Sequence, residues 1–289
     1  MALPLGPFPY ILTDGTLADA NQVMANFNLL LNGVNGLAPL GVSVPGQTSN
    51  VRANLAAAGA SVTVTADIVN VATALNGTSY TLVSYSQAFN GATTGAGGMD
   101  TGTMPTSGFV ALYAIYNPTA PAVSILGTNA GVSSPAIYGG ANMPAGYTAS
   151  ALLTVLPTNA TPALKASYVR GKNVSYSPAV TVVNVSASVG TPTAQSISGA
   201  VPPNAVSVSG MLTNTAGSAP SGTVSTLVAA DSGSNGLQYI QSTTTIASAA
   251  LAGPFNNLPL ATPQTIYYTV GTQGTGPSAT IQVTSYALP

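Results

Sequence analysis

Phe109-Val110-Ala111-Leu112-Tyr113-Ala114-Ile115-Tyr116 is the longest strongly apolar run in the chain, and the turn pair Asn117-Pro118 ends it. Eight residues rich in β-branched and aromatic side chains, bounded by a turn signal, read as a buried strand. A membrane-spanning helix needs about 20 apolar residues. The mean hydropathy of +0.39 therefore does not translate into a helical span. A transmembrane barrel would need aromatic girdles at both interfaces, and aromatic residues make up only 6% of the chain. No membrane insertion is expected.

Outward from this run the same grammar repeats. Candidate strands are Tyr80–Ser84, Phe109–Tyr116, Val123–Leu126, Leu152–Leu156, Leu164–Arg170 and Val180–Val185, separated by Asn76-Gly77, Asn90-Gly91 and Gly171-Lys172-Asn173. Period-two alternation with Val, Thr, Tyr and Ile enrichment predicts a β-sandwich or jelly roll over residues 76–186. Ala205–Ser209, Val224–Val228, Ile266–Val270 and Thr280–Val283 predict a second sandwich over 187–289, with Gly253-Pro254 and Asn256-Asn257 read as turns. Residues 37–75 read as a linker with short strands, of which Val62-Thr63-Val64-Thr65 alternates most clearly. The absence of a close internal repeat disfavours a solenoid or propeller. The expected fold class is mainly β: an N-terminal extended segment and short α-helix, followed by two antiparallel, jelly-roll-like β-sandwich domains.

Charge sets the next limits. The chain of 289 residues carries four basic and five acidic side chains, 3% in all, and no His, Cys or Trp. Ordinary soluble domains carry about 25%. Without Cys there is no disulfide framework or thiol nucleophile, and without His the usual zinc ligand and general base are gone. All five acids are Asp: Asp14, Asp19, Asp67, Asp100 and Asp231. A net charge of −1 with four cations provides no basic face for a phosphate backbone, so no nucleic-acid partner is expected. Nearly neutral and 46% apolar, the chain should fold. Its weakly charged surface fits a protein partly covered in an assembly.

The N-terminus differs from the rest. Pro4, Pro7 and Pro9 keep the first 15 residues extended, with no basic region of a signal peptide. A helix is expected over 16–35, opened by Thr16 and Asp19 in a capping-box arrangement. Leu17, Ala20, Met24, Phe27, Leu31 and Val34 then follow at spacings of three and four, a heptad pattern that Val23 and Leu30 widen and Gly33 and Gly36 weaken and end. Two readings fit: an amphipathic helix packed on its own domain, or a short parallel self-association helix. Residues 1–36 form the corresponding N-terminal unit.

Three stretches resemble tail-fibre and related virion proteins of tailed bacteriophages. Leu12-Thr13-Asp14-Gly15-Thr16-Leu17-Ala18-Asp19-Ala20-Asn21-Gln22-Val23-Met24-Ala25-Asn26-Phe27-Asn28 is similar to their "ADA-x-x-VMANFN" opening. Gly98-Met99-Asp100-Thr101-Gly102-Thr103, Tyr113-Ala114-Ile115-Tyr116-Asn117-Pro118 and Met143-Pro144-Ala145-Gly146-Tyr147-Thr148 follow their order "GGLDTG", "Y-x-I-x-N", "P-x-LPAGYT", with Met99 and Met143 replacing Leu. Pro254-Phe255-Asn256-Asn257-Leu258-Pro259-Leu260 and Pro263-Gln264-Thr265-Ile266-Tyr267-Tyr268 are close to a common end of such proteins. The resemblance implies a virion structural protein: a short tail fibre, assembled as a homotrimer through the helix and docked on other virion proteins, its β domains available to host-surface glycan. A capsid decoration or head-fibre protein and a short polysaccharide depolymerase are the alternatives.

No catalytic residue, cofactor or metal site is expected. Glycoside hydrolysis needs two carboxylates. Asp67, Asp100 and Asp231 lie apart in sequence, and Asp100 and Asp231 stand in turn contexts beside Gly97-Gly98 and Ser232-Gly233. The segment Gly91–Gly98 lacks the P-loop Lys and reads as a flexible loop. Tyr138 and Tyr147 fall in loops where they could meet a sugar or pack down, while at least half of Tyr113, Tyr116, Tyr267 and Tyr268 should be core. Lys165, Arg170 and Lys172 read as a solvated hairpin face, or as a contact for an acidic virion neighbour or anionic glycan.

Overall fold

The computed structural model describes residues 20–36, 44–217, 222–244, 246, 249–272 and 277–289. The chain divides into two compact units, Met1–Ser43 and Val44–Pro289. In the first, α1 spans Ala20–Gly36. The helix accepts Gly33 and stops at Gly36, as the pattern predicts; the expected cap at Thr16 and Asp19 lies outside the described residues. Among the described residues no helix is long and apolar enough to cross a membrane.

The second unit is built from strands: β1 (Thr48–Ser49), β2 (Arg52–Leu55), β3 (Ser61–Ala72), β4 (Ser79–Asn90), β5 (Phe109–Asn117), β6 (Ala122–Asn129), β7 (Ala149–Pro157), β8 (Ala166–Arg170), β9 (Asn173–Val185), β10 (Val189–Ser196), β11 (Ser207–Thr215), β12 (Gly222–Ala229), β13 (Gln238–Thr244), β14 (Ala250–Pro259), β15 (Thr265–Thr272) and β16 (Ser278–Ala287). The chain is thus mainly β, with one N-terminal helix and two antiparallel sheets among the described residues. The larger sheet runs β14-β11-β16-β9-β8-β2-β3-β7-β5-β6, with β1 and β4 also on β3; the smaller runs β10-β15-β12-β13.

The apolar run that opens the sequence is β5, buried from Phe109 to Ile115 between β6 and β7. Every residue of β7 is buried too. Both are covered on both faces because the large sheet curls over itself. Tyr286 on β16 donates its hydroxyl to the Val155 carbonyl of β7 at 2.6 Å, and Tyr85 on β4 donates to Ser124 O of β6 at 3.0 Å. Phe109 and Tyr286 meet edge to face, and Tyr176 packs on Tyr286. The smaller sheet is fastened by a buried polar group. Asn214 of β11 donates from Nδ2 to the carbonyls of Val224 (2.9 Å) and Ile240 (3.3 Å), and its Oδ1 accepts from the Thr226 hydroxyl.

Several boundaries differ from the sequence expectation. Residues 37–75 contain β3, twelve residues long, which pairs with β4 along its whole length and meets β1, β2 and β7 on its other edge. Its alternation is interrupted after Ala66 by exposed Asp67 and Ile68, so only its first half has a strand signature. The boundary expected at 186/187 falls inside the second unit, where β9 pairs with β16 across it. Gly253-Pro254 and Asn256-Asn257 are not turns but the middle of β14. That strand is at the sheet edge, where a proline without an N–H is tolerated. Asn257 takes a left-handed φ of 49° beside the register shift at Val208/Gly210, so the Asn pair makes a bulge. Strands β10 and β13 have no apolar alternation and escaped the reading.

Candidate functional site

The segment read as a flexible loop, Gly91–Gly98, is pinned along β6. Gly97 N donates to Ile125 O (2.7 Å), Asp100 N to Gly127 O (2.7 Å), and Gly127 N returns to Gly98 O (2.8 Å). Met99 is buried, 1% exposed, and anchors the segment. Two glycines make this approach possible. A Cβ on Gly127 would stand 2.4 Å from the Phe89 ring, and one on Gly98 would stand 2.4 Å from Thr93 O. Close packing accounts for Gly98, and left-handed φ values of 88° and 89° account for Gly95 and Gly97.

This anchoring fixes Asp100 against a second loop. Its Oδ1 accepts from Thr101 N at 2.8 Å, and its Oδ2 accepts from the Tyr138 hydroxyl at 2.8 Å. The Tyr138 oxygen also accepts from Asn142 N at 3.3 Å, while Tyr138 N donates to the buried Ser150 hydroxyl. Burial, reinforced by the bond to Asp100, pushes the Tyr138 phenol up to about 12. Its ring stands edge-on to Tyr113, centroids 5.6 Å apart, and Tyr113 donates to Pro135 O at 2.9 Å. Burial holds the Tyr113 phenol well above its ordinary range. Asp100 and Tyr138, 38 residues apart, thus clasp two loops.

Beside the clasp lies a hollow of about 240 Å³, walled by Tyr113, Tyr138, Asn129, Ser133, Ser134 and Gly140 among others. It combines two aromatic rings and the apolar Val132 and Pro135 with neutral amide and hydroxyl groups. The sequence reading named Tyr138 but missed Asn129, Ser133 and Ser134, which carry no motif and become neighbours only through the pairing of β5 with β6 and β7. The one available signal was the shared order of the Gly98–Thr103 and Met143–Thr148 motifs.

The other expected residues disperse. Asp67 accepts from Asn50 Nδ2 at 2.9 Å. Asp231 closes its own turn, accepting from Gly233 N, Asn235 N and Asn235 Nδ2, and the Asn235 bonds hold its carboxyl below the usual range. These carboxylates each serve a local turn or strand. No group of three metal-ligating side chains occurs among the described residues. Tyr113 and Tyr268 are core, whereas Tyr116 and Tyr267 are half-buried. Tyr147 packs against the core instead of standing free. The basic cluster is not one solvated face: Lys165 lies 5.5 Å from the Tyr176 ring centre, and burial lowers the pKa of both Lys165 and Lys172. On α1, Ala20, Met24 and Phe27 are exposed. Leu17 and the side chains of Leu31 and Val34 lie outside the described residues.

No protein-family model matches the sequence, and no curated protein does. Among solved structures the chain is similar to the carbohydrate-binding module TmCBM61 in complex with β-1,4-galactotriose. Identity is 11%, the match covers 41% of this chain and 68% of that one, and the TM-score is 0.22, a likeness that assigns nothing to individual residues.

Proposed function

We propose that the chain is a structural protein of a tailed-phage particle, a short tail fibre seated through residues 1–36, with the β unit presented outward. The observation that carries this reading is the apolar stripe of α1. Met24 is 54% exposed, Phe27 59%, and Val23 and Leu30 42% each. Covering each such side chain is worth up to about 1.5–3 kcal/mol, and a chain with 3% charged residues has little else to steer docking. The three-four spacing of Met24 and Phe27 continues from Ala20 to Leu31 and Val34. A surface with that same spacing is another copy of the helix, so a parallel homotrimer is the natural cover. The resemblance of residues 12–28 and of the central motifs to phage fibre proteins supports the same assignment.

In this reading the Tyr113–Tyr138 hollow is where a host-surface sugar sits. The work is binding: Asp100 holds Tyr138, and Tyr138 shapes the wall. Antibody-gold labelling of intact particles tests the proposal. Label on the tail or its fibres is the expected result; label over the head would replace it with a capsid decoration protein.

A further inference from the structure

Two of the four cations stand directly opposite each other. Arg52 on β2 and Arg170 on β8 are register partners, with Asn54 opposite Tyr168 one step along the same face. Like charges in that arrangement destabilise a sheet, so a ligand that neutralises them would relieve a standing cost. Both arginines are exposed, and both line one hollow of about 370 Å³ with Asn54, Thr63, Thr65 and Tyr168. A second hollow of about 320 Å³ shares Asn54 and Tyr168 and adds Leu55, Tyr176, Ser175 and Ser177 among others.

The guanidinium groups are oriented from within. Arg52 Nε donates to Asn50 Oδ1 at 2.9 Å, and Arg170 Nε donates to the Tyr168 hydroxyl at 2.6 Å, with the Arg170 guanidinium 5.5 Å from the Tyr168 ring centre. A guanidinium has five N–H donors, so each keeps four on its terminal nitrogens. Asp67 offsets part of the charge, and its carboxylate accepts from Asn50 Nδ2 at 2.9 Å. The face therefore carries two cations and one carboxylate.

We infer that this face is a binding site for a saccharide chain bearing oxyanions, with Arg52 and Arg170 gripping a carboxylate or sulfate and Tyr168, 45% exposed, supporting the ring beside it. Paired forks match oxyanions of this geometry. In the hollow that holds both arginines and Tyr168, the remaining lining is Asn54, Thr63, Thr65 and the buried Ala53. That suits sugar hydroxyls, whereas a protein partner would need large apolar anchors at the centre of the patch. The site shares no residue with the Tyr138 hollow and does not depend on the particle assignment.

Calorimetric titration of the full chain tests it, using tri-galacturonate, its methyl ester, a sulfated trisaccharide, inorganic phosphate and an oligo-glutamate of equal charge. One or both anionic saccharides should bind, identifying the oxyanion. Arg52→Gln and Arg170→Gln should each weaken binding by about tenfold, the loss expected for one charge-assisted hydrogen bond. Lys172→Gln, off both hollows, should leave it unchanged. Each glutamine variant should also melt no lower than the parent, because one of two opposed charges has gone; Arg170→Lys, which keeps the charge and loses the fork, gives a second reading if it does not. Binding of neither anionic saccharide overturns the inference. So does equal binding of the ester, of phosphate alone, or of oligo-glutamate, the last transferring the face to an acidic protein.

Discussion

The described phenylalanines of the two units meet opposite fates. Phe27 on α1 is 59% exposed, whereas Phe89 and Phe255 in the β unit are wholly buried and Phe109 nearly so. The β unit closes its core within one chain: the large sheet curls until β16 lies over β7 and β4 over β6, leaving β5 and β7 with no solvent face. A single helix carries no second layer of its own, and under the proposed function a second copy of the helix supplies it. Phe89→Ala is the strongest way to break this contrast. Deleting a buried Phe costs about 3–5 kcal/mol, read as a large loss of unfolding free energy in denaturant. Phe27→Ala should change the unfolding free energy of the β unit by less than about 0.5 kcal/mol, because Phe27 belongs to the other compact unit. The assembly readout should invert: light scattering on Phe27→Asp should report loss of the oligomer, and a persistent trimer would move self-association into the β unit.

Asn214 sharpens the contrast between the two sheets. The large sheet is held by apolar layers, whereas the small one is pinned to β11 by a fully buried amide that serves β12 and β13 together. Asn214→Leu should destabilise by about 2–3 kcal/mol, because the Thr226 hydroxyl and two carbonyls lose a partner in a dry site. Adding Thr226→Val should recover part of that loss. A double mutant as unstable as the sum of the singles would show that packing, not the hydrogen-bond set, fastens the sheets.

The sequence made local features legible and left most long-range ones hidden. The run from Phe109 to Tyr116 announces β5 because a strand covered on both faces has to be continuously apolar. Val224–Val228 and Ile266–Val270 announce β12 and β15 because one covered face imposes alternation. Strands β10 and β13 have too little apolar pattern to signal anything, since their neighbours supply the hydrogen bonds. Pro254 looked like a terminator because its lack of an N–H matters in a ladder; at a sheet edge that lack is harmless. The clasp between Asp100 and Tyr138 could not be read from either residue alone. It exists because Met99 anchors one loop on β6 and Ser150 holds the other on β7, and neither anchor has a local signature.

That clasp gives the smallest and most specific expectation. Tyr138→Phe removes one hydroxyl that donates to Asp100 and accepts from Asn142, a loss of about 1 kcal/mol for a net hydrogen bond. The proton on that hydroxyl also carries a pH signature. Burial and the neighbouring carboxylate raise the folded-state pKa of Tyr138 to about 12, above the ordinary value of 10.0. The protonated form is therefore favoured by folding, and its contribution is present in full below about pH 10 and lost as the pH rises through about 12. Stability curves of the parent and of Tyr138→Phe should accordingly run parallel up to about pH 10 and then converge, the parent falling faster. Curves that stay parallel to pH 12 would mean that the phenol ionises without opposition, and that the contact with Asp100 does not hold the two loops together in solution.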